Sequence, residues 1–122
     1  MLKVAKSHAW ARLEGDVVAV GITAYAVKQL GDVVYIELPK VGARIKAGQA
    51  FGEIESVKAA AELFAPVDGT VTAVNAPLTD ELGILQADAY KAGWMIRVKP
   101  DHPSPLDDLM TMTQYEGYLK TL

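Results

Sequence analysis

The sequence predicts a mainly β fold with a helical tail, and three observations carry that reading. Runs rich in β-branched or alternating apolar residues recur along the chain, each stopped by glycine, proline or an acid–glycine turn. Gly42 and Gly48 punctuate the middle of the chain closely, a spacing that suits short strands turning tightly around a small barrel. Beyond Pro100 the pattern changes to capping residues followed by apolar residues at helical spacing.

Taken in order, His8 to Ile22 reads as a hairpin. HAWARLEG alternates, DVVAVGI is β-branched, and Glu14-Gly15-Asp16 supplies the turn. Thr23 is placed to cap a short helix over residues 24–30 that Gly31 ends. DVVYIELP is a strand stopped by Pro39. AFGEIE and AELFA read as strands on either side of Lys58, and Pro66-Val67-Asp68-Gly69 is a turn leading into the strand TVTAVN. Gly69 is assigned to the backbone conformation of that turn. Leu78 to Leu85 reads as a helix weakened by Gly83, with Thr79 near its start. GWMIRVKP is a closing strand ended by Pro100. In the tail, Ser104-Pro105-Leu106-Asp107 suggests a capped helix with Leu106, Leu109 and Met110 on one face. Thr113-Gln114-Tyr115-Glu116 repeats the box, with Tyr118, Leu119 and Leu122 behind it.

Composition narrows the function. With 122 residues, 51% hydrophobic and 22% charged, residues 1–122 are expected to form one folded domain. A net charge of -3 leaves no basic footprint for nucleic acid. There are no cysteines, so disulfides, thiolate catalysis and thiolate-bound zinc are excluded, and any sulfur redox chemistry has to come from an attached group. His8 and His102 lack metal-ligand spacing. No apolar run is long enough to span a membrane, and MLKVAKSHAW lacks the apolar core of a signal peptide. A cytoplasmic protein is expected, and a mature form in the mitochondrial matrix would have the same composition. No nucleophile–base–acid order or phosphate-binding glycine loop is present, so an intrinsic enzyme is not expected. Glu53 and Glu55 share one side of a strand, but an exposed hairpin does not enclose a carboxylate pair as acid–base catalysis requires.

Lys58 is the residue that asks for an explanation. It lies between Val57 and Ala59, in a run of small and apolar residues, at the point where two strands of similar length must turn. A type I turn over Ser56-Val57-Lys58-Ala59 needs no glycine. In that turn Val57 packs inward, Lys58 stands at the tip, and Glu55 and Glu62 bracket it with negative charge. An ordinary solvated lysine is the commoner explanation. The alternative is a modification target, because small alanines leave the amine open to a second protein and a rigid tip presents it accurately.

The segments ESVKAA and APVDGTV resemble the lipoyl-attachment region of the glycine cleavage H-protein family. SHAW, EGDVVAVGIT, QLGDVVYIELP and GWMIRVKP resemble further segments of that family in the same order, so the resemblance covers nearly the whole chain. It implies a barrel-sandwich hybrid of the lipoyl/biotinyl type, with an N-terminal hairpin, short helices and a C-terminal helical segment. It also implies lipoate in amide linkage to Lys58, within a motif formed by Glu55, Val57 and Ala59. Ser7, His8, Trp10 and Glu62 match positions that contact the folded-back arm. Trp10, like Trp94, reads more readily as a core aromatic than as an arm contact.

The implied partners are a pyridoxal-phosphate glycine decarboxylase, a tetrahydrofolate-dependent aminomethyltransferase, dihydrolipoyl dehydrogenase, and a lipoate ligase or lipoyl/octanoyl transferase. The family usually has an acid between the histidine and tryptophan of its SHEW-like segment. Here Ala9 stands in its place, Ala24 follows GIT, and ADAYKAGW, with Ala89, replaces the usual aspartate–proline–tyrosine pattern. Other readings are a protein that only relays or stores lipoyl groups, an unmodified interaction module, and a biotinyl carrier. The last expects methionines where Val57 and Ala59 stand.

Overall fold

The computed structural model describes residues 2–122. Strands β1 (Leu2–Val4), β2 (Ala9–Glu14) and β3 (Val17–Ile22) lead to helix α1 (Ala24–Leu30). Strands β4 (Val33–Glu37), β5 (Arg44–Ile45), β6 (Ala50–Ser56), β7 (Ala60–Phe64) and β8 (Gly69–Val74) follow. Helices α2 (Ala76–Asp80) and α3 (Gly83–Ala87) precede β9 (Ile96–Pro100), β10 (Met110–Thr111) and α4 (Met112–Leu119). The chain is mainly β, as the residue pattern predicts, and every strand pair is antiparallel. One sheet has the order β10-β1-β2-β3-β9-β8-β5 and the other β4-β6-β7.

The two sheets share one core. Ile36, Ile54 and Leu63 of the smaller sheet pack with Val18, Val20, Val71, Ile96 and Val98 of the larger. β9, expected only as a closing strand, is internal to its sheet. It pairs with β3 through Val18↔Val98 and with β8 through Val71↔Val98, which joins the N-terminal hairpin to the rest. A second cluster of Val4, Trp10, Ala19 and Tyr115 seals α4 against the outer strands. Trp10 lies directly opposite Gly21, where an added Cβ would come within 2.6 Å of the indole ring. The indole Nε1 donates to the Ala89 carbonyl at 2.9 Å, so the ring is buried with its polar atom satisfied. Trp10 is thus a core residue rather than an arm contact.

The hairpin between β2 and β3 turns through Gly15, at φ +64°, and Asp16. Glu14, beside it, receives Arg12 and Arg97 at 3.0 Å each and ties β2 to β9. Partial burial pushes the Glu14 carboxyl up, but hydrogen bonds and charge from Arg97 and Arg12 outweigh it and hold the group below the ordinary carboxylate range. Its contribution is therefore present above the unfolded pKa and is lost as pH falls through the lower folded value.

Several elements differ from the sequence reading. Strands β1 and β10 were not expected: they are three and two residues long, too short to carry an alternation signal, and they exist because Lys3 and Val4 pair with Thr111 and Met110. The single helix over 78–85 is instead two helices, starting earlier with Pro77 in the first turn of α2 and restarting at Gly83. Residues 104–109 form isolated turns and no helix, because Met110 is taken by the sheet and the remaining segment is too short to repay nucleation. The capping box falls on Thr111 and Gln114, two residues before the predicted one, and Leu122 is exposed while Tyr115 is the residue of α4 that is buried.

Gly69 also has a different role. Its φ is not positive. An added Cβ would collide with the Lys99 carbonyl oxygen and come within 2.5 Å of Val98 Cγ1, so the glycine permits the close approach of β8 to β9. Gly69→Ala is expected to destabilise the fold by about 1–3 kcal/mol, the usual cost of overpacking. Urea unfolding should show a lower midpoint with an unchanged slope.

Candidate functional site

The turn between β6 and β7 is closed by its own backbone and by one hydroxyl. Ser56 N donates to the Ala59 carbonyl at 2.8 Å, Ala59 N donates to Ser56 Oγ at 3.2 Å, and Ser56 Oγ donates to the Ala59 carbonyl at 3.1 Å. The serine hydroxyl thus satisfies a group that a glycine-based turn would have satisfied by other means. Neither Val57 nor Lys58 has positive φ, which is why no glycine is needed. Val57 does not pack inward: its side chain is 73% exposed. The inward anchor is its backbone N–H, which donates to the Asp32 carbonyl at 3.0 Å and ties the turn to the residue just beyond the α1 cap. A main-chain bond of this kind carries no side-chain signature, so the sequence pattern pointed to the side chain instead.

Lys58 is exposed at the apex and, among the described residues, takes part in no ion pair. Its stem lies over Gly31, the α1 cap. A Cβ added there would sit 3.6 Å from Lys58 Cε and 3.8 Å from Nζ. Gly31 therefore does two things: at φ +75° it ends α1, and its missing side chain leaves a lane for the lysine. This lane and the exposed primary amine leave room for a group attached by amide at Nζ.

The other end of α1 is fixed by a relay. Thr23 Oγ1 accepts from Ala26 N at 3.2 Å as the helix cap. It also meets the Tyr115 hydroxyl at 2.8 Å, which in turn meets His8 Nδ1 at 2.7 Å. With the imidazole neutral, either tautomer satisfies the chain: Thr23 donates to Tyr115 and Tyr115 to His8 Nδ1, or His8 Nδ1–H donates to Tyr115 and Tyr115 to Thr23 Oγ1. Burial lowers the His8 pKa below its ordinary 6.5, in keeping with a neutral ring. His8 has φ +73°, the only non-glycine residue with positive φ among the described residues, and its ring stands edge-on to Tyr25 and Tyr115.

Glu55 and Glu62 lie on one face of the smaller sheet. Glu62 is directly opposite Glu53, which is opposite Glu37, and Glu55 is opposite Ala60 and Tyr35. Residues facing one another across strands share a face, so four carboxylates line the sheet below the lysine. Glu37 was missed from sequence because only strand register brings it there.

Ser7 is exposed and lines a cavity of about 640 Å³ with Phe64, Asp68, His102 and Leu109. Phe64 is the end of β7 away from the turn. Ala9 is 2% exposed, and its short side chain carries no polar group. Among the described residues no hydrogen bond or ion pair joins Ser7, His8 or Glu62 to Lys58, and the residues whose hydrogen bonds hold the turn are Ser56, Ala59 and Asp32. Also among these residues, no group of three histidine or acidic side chains is arranged to hold a metal, and no helix is long and apolar enough to cross a membrane.

Comparison with known proteins matches residues 2–122 to the family model described as glycine cleavage H-protein. A glycine cleavage system H protein of Anaeromyxobacter sp. (strain K) is 46% identical over 119 residues, covering 98% of this chain and 93% of that one. The H protein of Geobacillus kaustophilus is 47% identical over 118 residues, covering 97% of this chain and 93% of that one. The crystal structure of a glycine cleavage system H protein from Mycobacterium marinum superposes with a TM-score of 0.89 at 35% identity, covering 98% of this chain and 96% of that one. The arrangement of two sheets and flanking helices is thus the lipoyl-type barrel-sandwich.

Two outcomes follow for this site. Ser56→Ala should cost about 1 kcal/mol, the net worth of a side-chain hydrogen bond, and speed amide exchange at Ala59, read by hydrogen–deuterium exchange. Because the His8 pKa is lowered on folding, the unfolded chain binds the proton more readily, so the His8 contribution is full above pH 6.5 and is lost as pH falls below it. The thermal midpoint should fall between pH 7.5 and 5.5 in the native chain and fall less in His8→Gln.

Proposed function

This chain belongs to the glycine cleavage H-protein family, and we propose that its lipoyl group is carried in amide linkage on Lys58 at the Ser56–Ala59 turn. The protein is a lipoyl-carrying shuttle of the glycine cleavage system and is not itself catalytic. When bound, lipoate supplies the dithiolane that takes up an aminomethyl group and passes it on. The chain's own residues present that group. Ser56 and Asp32 hold the turn, Gly31 leaves the lane for the stem, and Glu55, Val57 and Ala59 form the surface that an attaching enzyme reads.

The observation that carries this assignment is the exposed, unpaired Lys58 amine at the apex of a turn held from two sides. Tethering keeps a group at high local concentration in each docked partner, so every docking can be brief. The chain works with other components of the glycine cleavage system. In our reading these are a pyridoxal-phosphate glycine decarboxylase that loads the aminomethyl group, a tetrahydrofolate-dependent aminomethyltransferase that unloads it, and dihydrolipoyl dehydrogenase. A lipoate ligase or a lipoyl/octanoyl transferase attaches the arm. Residues 1–122 act as a single carrier domain. The cytoplasm is the expected site of action, in keeping with the bacterial relatives, and the mitochondrial matrix for a mature eukaryotic form.

Intact mass tests the attachment. Protein produced with lipoate and an active ligase should gain the mass of one lipoyl group, and Lys58→Arg should gain none. An unmodified mass, with the ligase shown to act on another carrier, overturns the assignment.

A further inference from the structure

We propose that the free edge of β7 is the docking strand for the enzyme that attaches the lipoyl group, which lays an extended segment along it with a lysine or arginine opposite Glu62. This rests on attachment at Lys58.

The two sheets end in four edge strands, β10, β5, β4 and β7. An edge strand offers unpaired N–H and C=O groups to other chains, and folds blunt such edges by keeping them short or by breaking them with a bulge. β10 and β5 are two residues long. β4 carries a register break between Val33 and Tyr35. β7 runs for five residues, and the irregularity in its pairing adds the extra residue, Phe51, to β6 instead. The one long, regular edge therefore starts beside the Lys58 turn.

The register shows which groups of that edge are free. Ser56 N donates to the Ala59 carbonyl, so these two form a hydrogen-bonded pair, and such pairs alternate along an antiparallel ladder. Ala61 and Leu63 thus turn their N–H and C=O toward β6, while Ala60, Glu62 and Phe64 turn theirs outward. All three of the latter residues are exposed, and among the described residues no loop main chain takes up their outward groups. Strand addition to an open edge uses this arrangement, with main-chain bonds supplying affinity and alternate side chains supplying specificity.

Charge selects the occupant. Glu62 is the middle residue of β7 and ends the row Glu37, Glu53, Glu62 across the sheet. Two copies of β7 in full antiparallel overlap would set Glu62 against Glu62, which opposes pairing, whereas a basic residue there closes the acidic row favourably. Partners that exchange cargo act at the end of a long arm and can dock at a distance. The attaching enzyme must bring its activated acyl group to Nζ itself, so its contacts are confined to residues beside the turn, and Ala60 is two positions from Lys58. In that step the neutral Nζ bonds to the carbonyl carbon of lipoyl adenylate, AMP leaves with the electron pair of the broken bond, and the nitrogen releases one proton.

The test measures amide exchange with solvent by NMR on 15N-labelled Lys58→Arg, which offers no amine to acylate at that position, with and without a lipoate ligase supplied with ATP and lipoate. Protection gained on adding the ligase should alternate, appearing at Ala60, Glu62 and Phe64, since Ala61 and Leu63 are already bonded to β6 in the free chain. With the native lysine, initial lipoylation rates are followed by intact mass against chain concentration. Glu62→Gln should raise the KM for the chain about threefold, the scale of one exposed ion pair. Glu62→Pro also removes an outward N–H without breaking the β6 ladder, and should raise KM about tenfold, the scale of a lost hydrogen bond to a charged or well-placed partner. In both variants kcat should change little. Unchanged exchange at Ala60, Glu62 and Phe64, protection at Tyr35 and Glu37 of β4 instead, or an unchanged KM in both variants would each overturn this docking, while a mass gain on the native chain leaves Lys58 as the attachment site. A chain that dimerises through the same three amides gives the edge to a second copy and also overturns it. A native chain that gains no mass from a ligase active on another carrier overturns the attachment and the docking together.

Discussion

A single main-chain hydrogen bond, from Val57 N to the Asp32 carbonyl, holds the Lys58 turn on the end of α1. A turn of two central residues has few internal bonds of its own, and this bond carries the β4–β6 pairing one step beyond Val33↔Ser56. Fastened to a helix end, it presents the lysine in one direction. The helix is useful as a fixture only because its far end is also held. Thr23 caps it and is in turn gripped by Tyr115 and His8. The residues that aim the lysine therefore lie as far off in sequence as α4.

That arrangement has costs, and they gather around the same feature. His8 takes a left-handed backbone, worth about 1–3 kcal/mol of strain for a residue with a side chain. It keeps this conformation because its N–H donates to Ala5, its carbonyl accepts from Thr23 N, and its ring is enclosed by tyrosines. Glu37, Glu53 and Glu62 stand directly opposite one another, an order that opposes strand pairing. The smaller sheet tolerates it because these side chains are exposed to water, while its inner face is anchored by Ile36, Ile54 and Leu63. A negative face beneath an uncompensated lysine suits a protein that must meet several partners briefly, since surface charge governs encounter more than it governs lifetime.

The N-terminal hairpin is part of the same body, joined through β9 and through Glu14, Arg12 and Arg97. Trp10 completes the junction: its ring fills the space over Gly21 and its N–H reaches the Ala89 carbonyl, just before the segment that returns to the sheet. Asn75 performs the matching task on the other side, donating to the Ala92 and Trp94 carbonyls and so closing the excursion that holds α2 and α3.

The sequence by itself determined what depends on neighbours along the chain. The β2–β3 hairpin with its Gly15 turn, the α1 helix between Thr23 and Gly31, and a turn without glycine at Lys58 were all legible, because turns and caps are set by a few adjacent residues. Lys58 was singled out as the proposed attachment point by a family motif, not by physics, since spacing alone could not separate it from a solvated surface lysine. The tertiary structure decided what depends on residues far apart. It added β1 and β10, which exist only as each other's partners, and it took Met110 from an expected helix into a strand. It moved the anchor of the turn from the Val57 side chain to its backbone, gave Gly69 a packing role, and set Glu37 in the acidic row. Each is a relation between main-chain groups or strand registers. Such relations leave no local pattern, because every residue has the same N–H and C=O to offer and only the fold selects which ones meet.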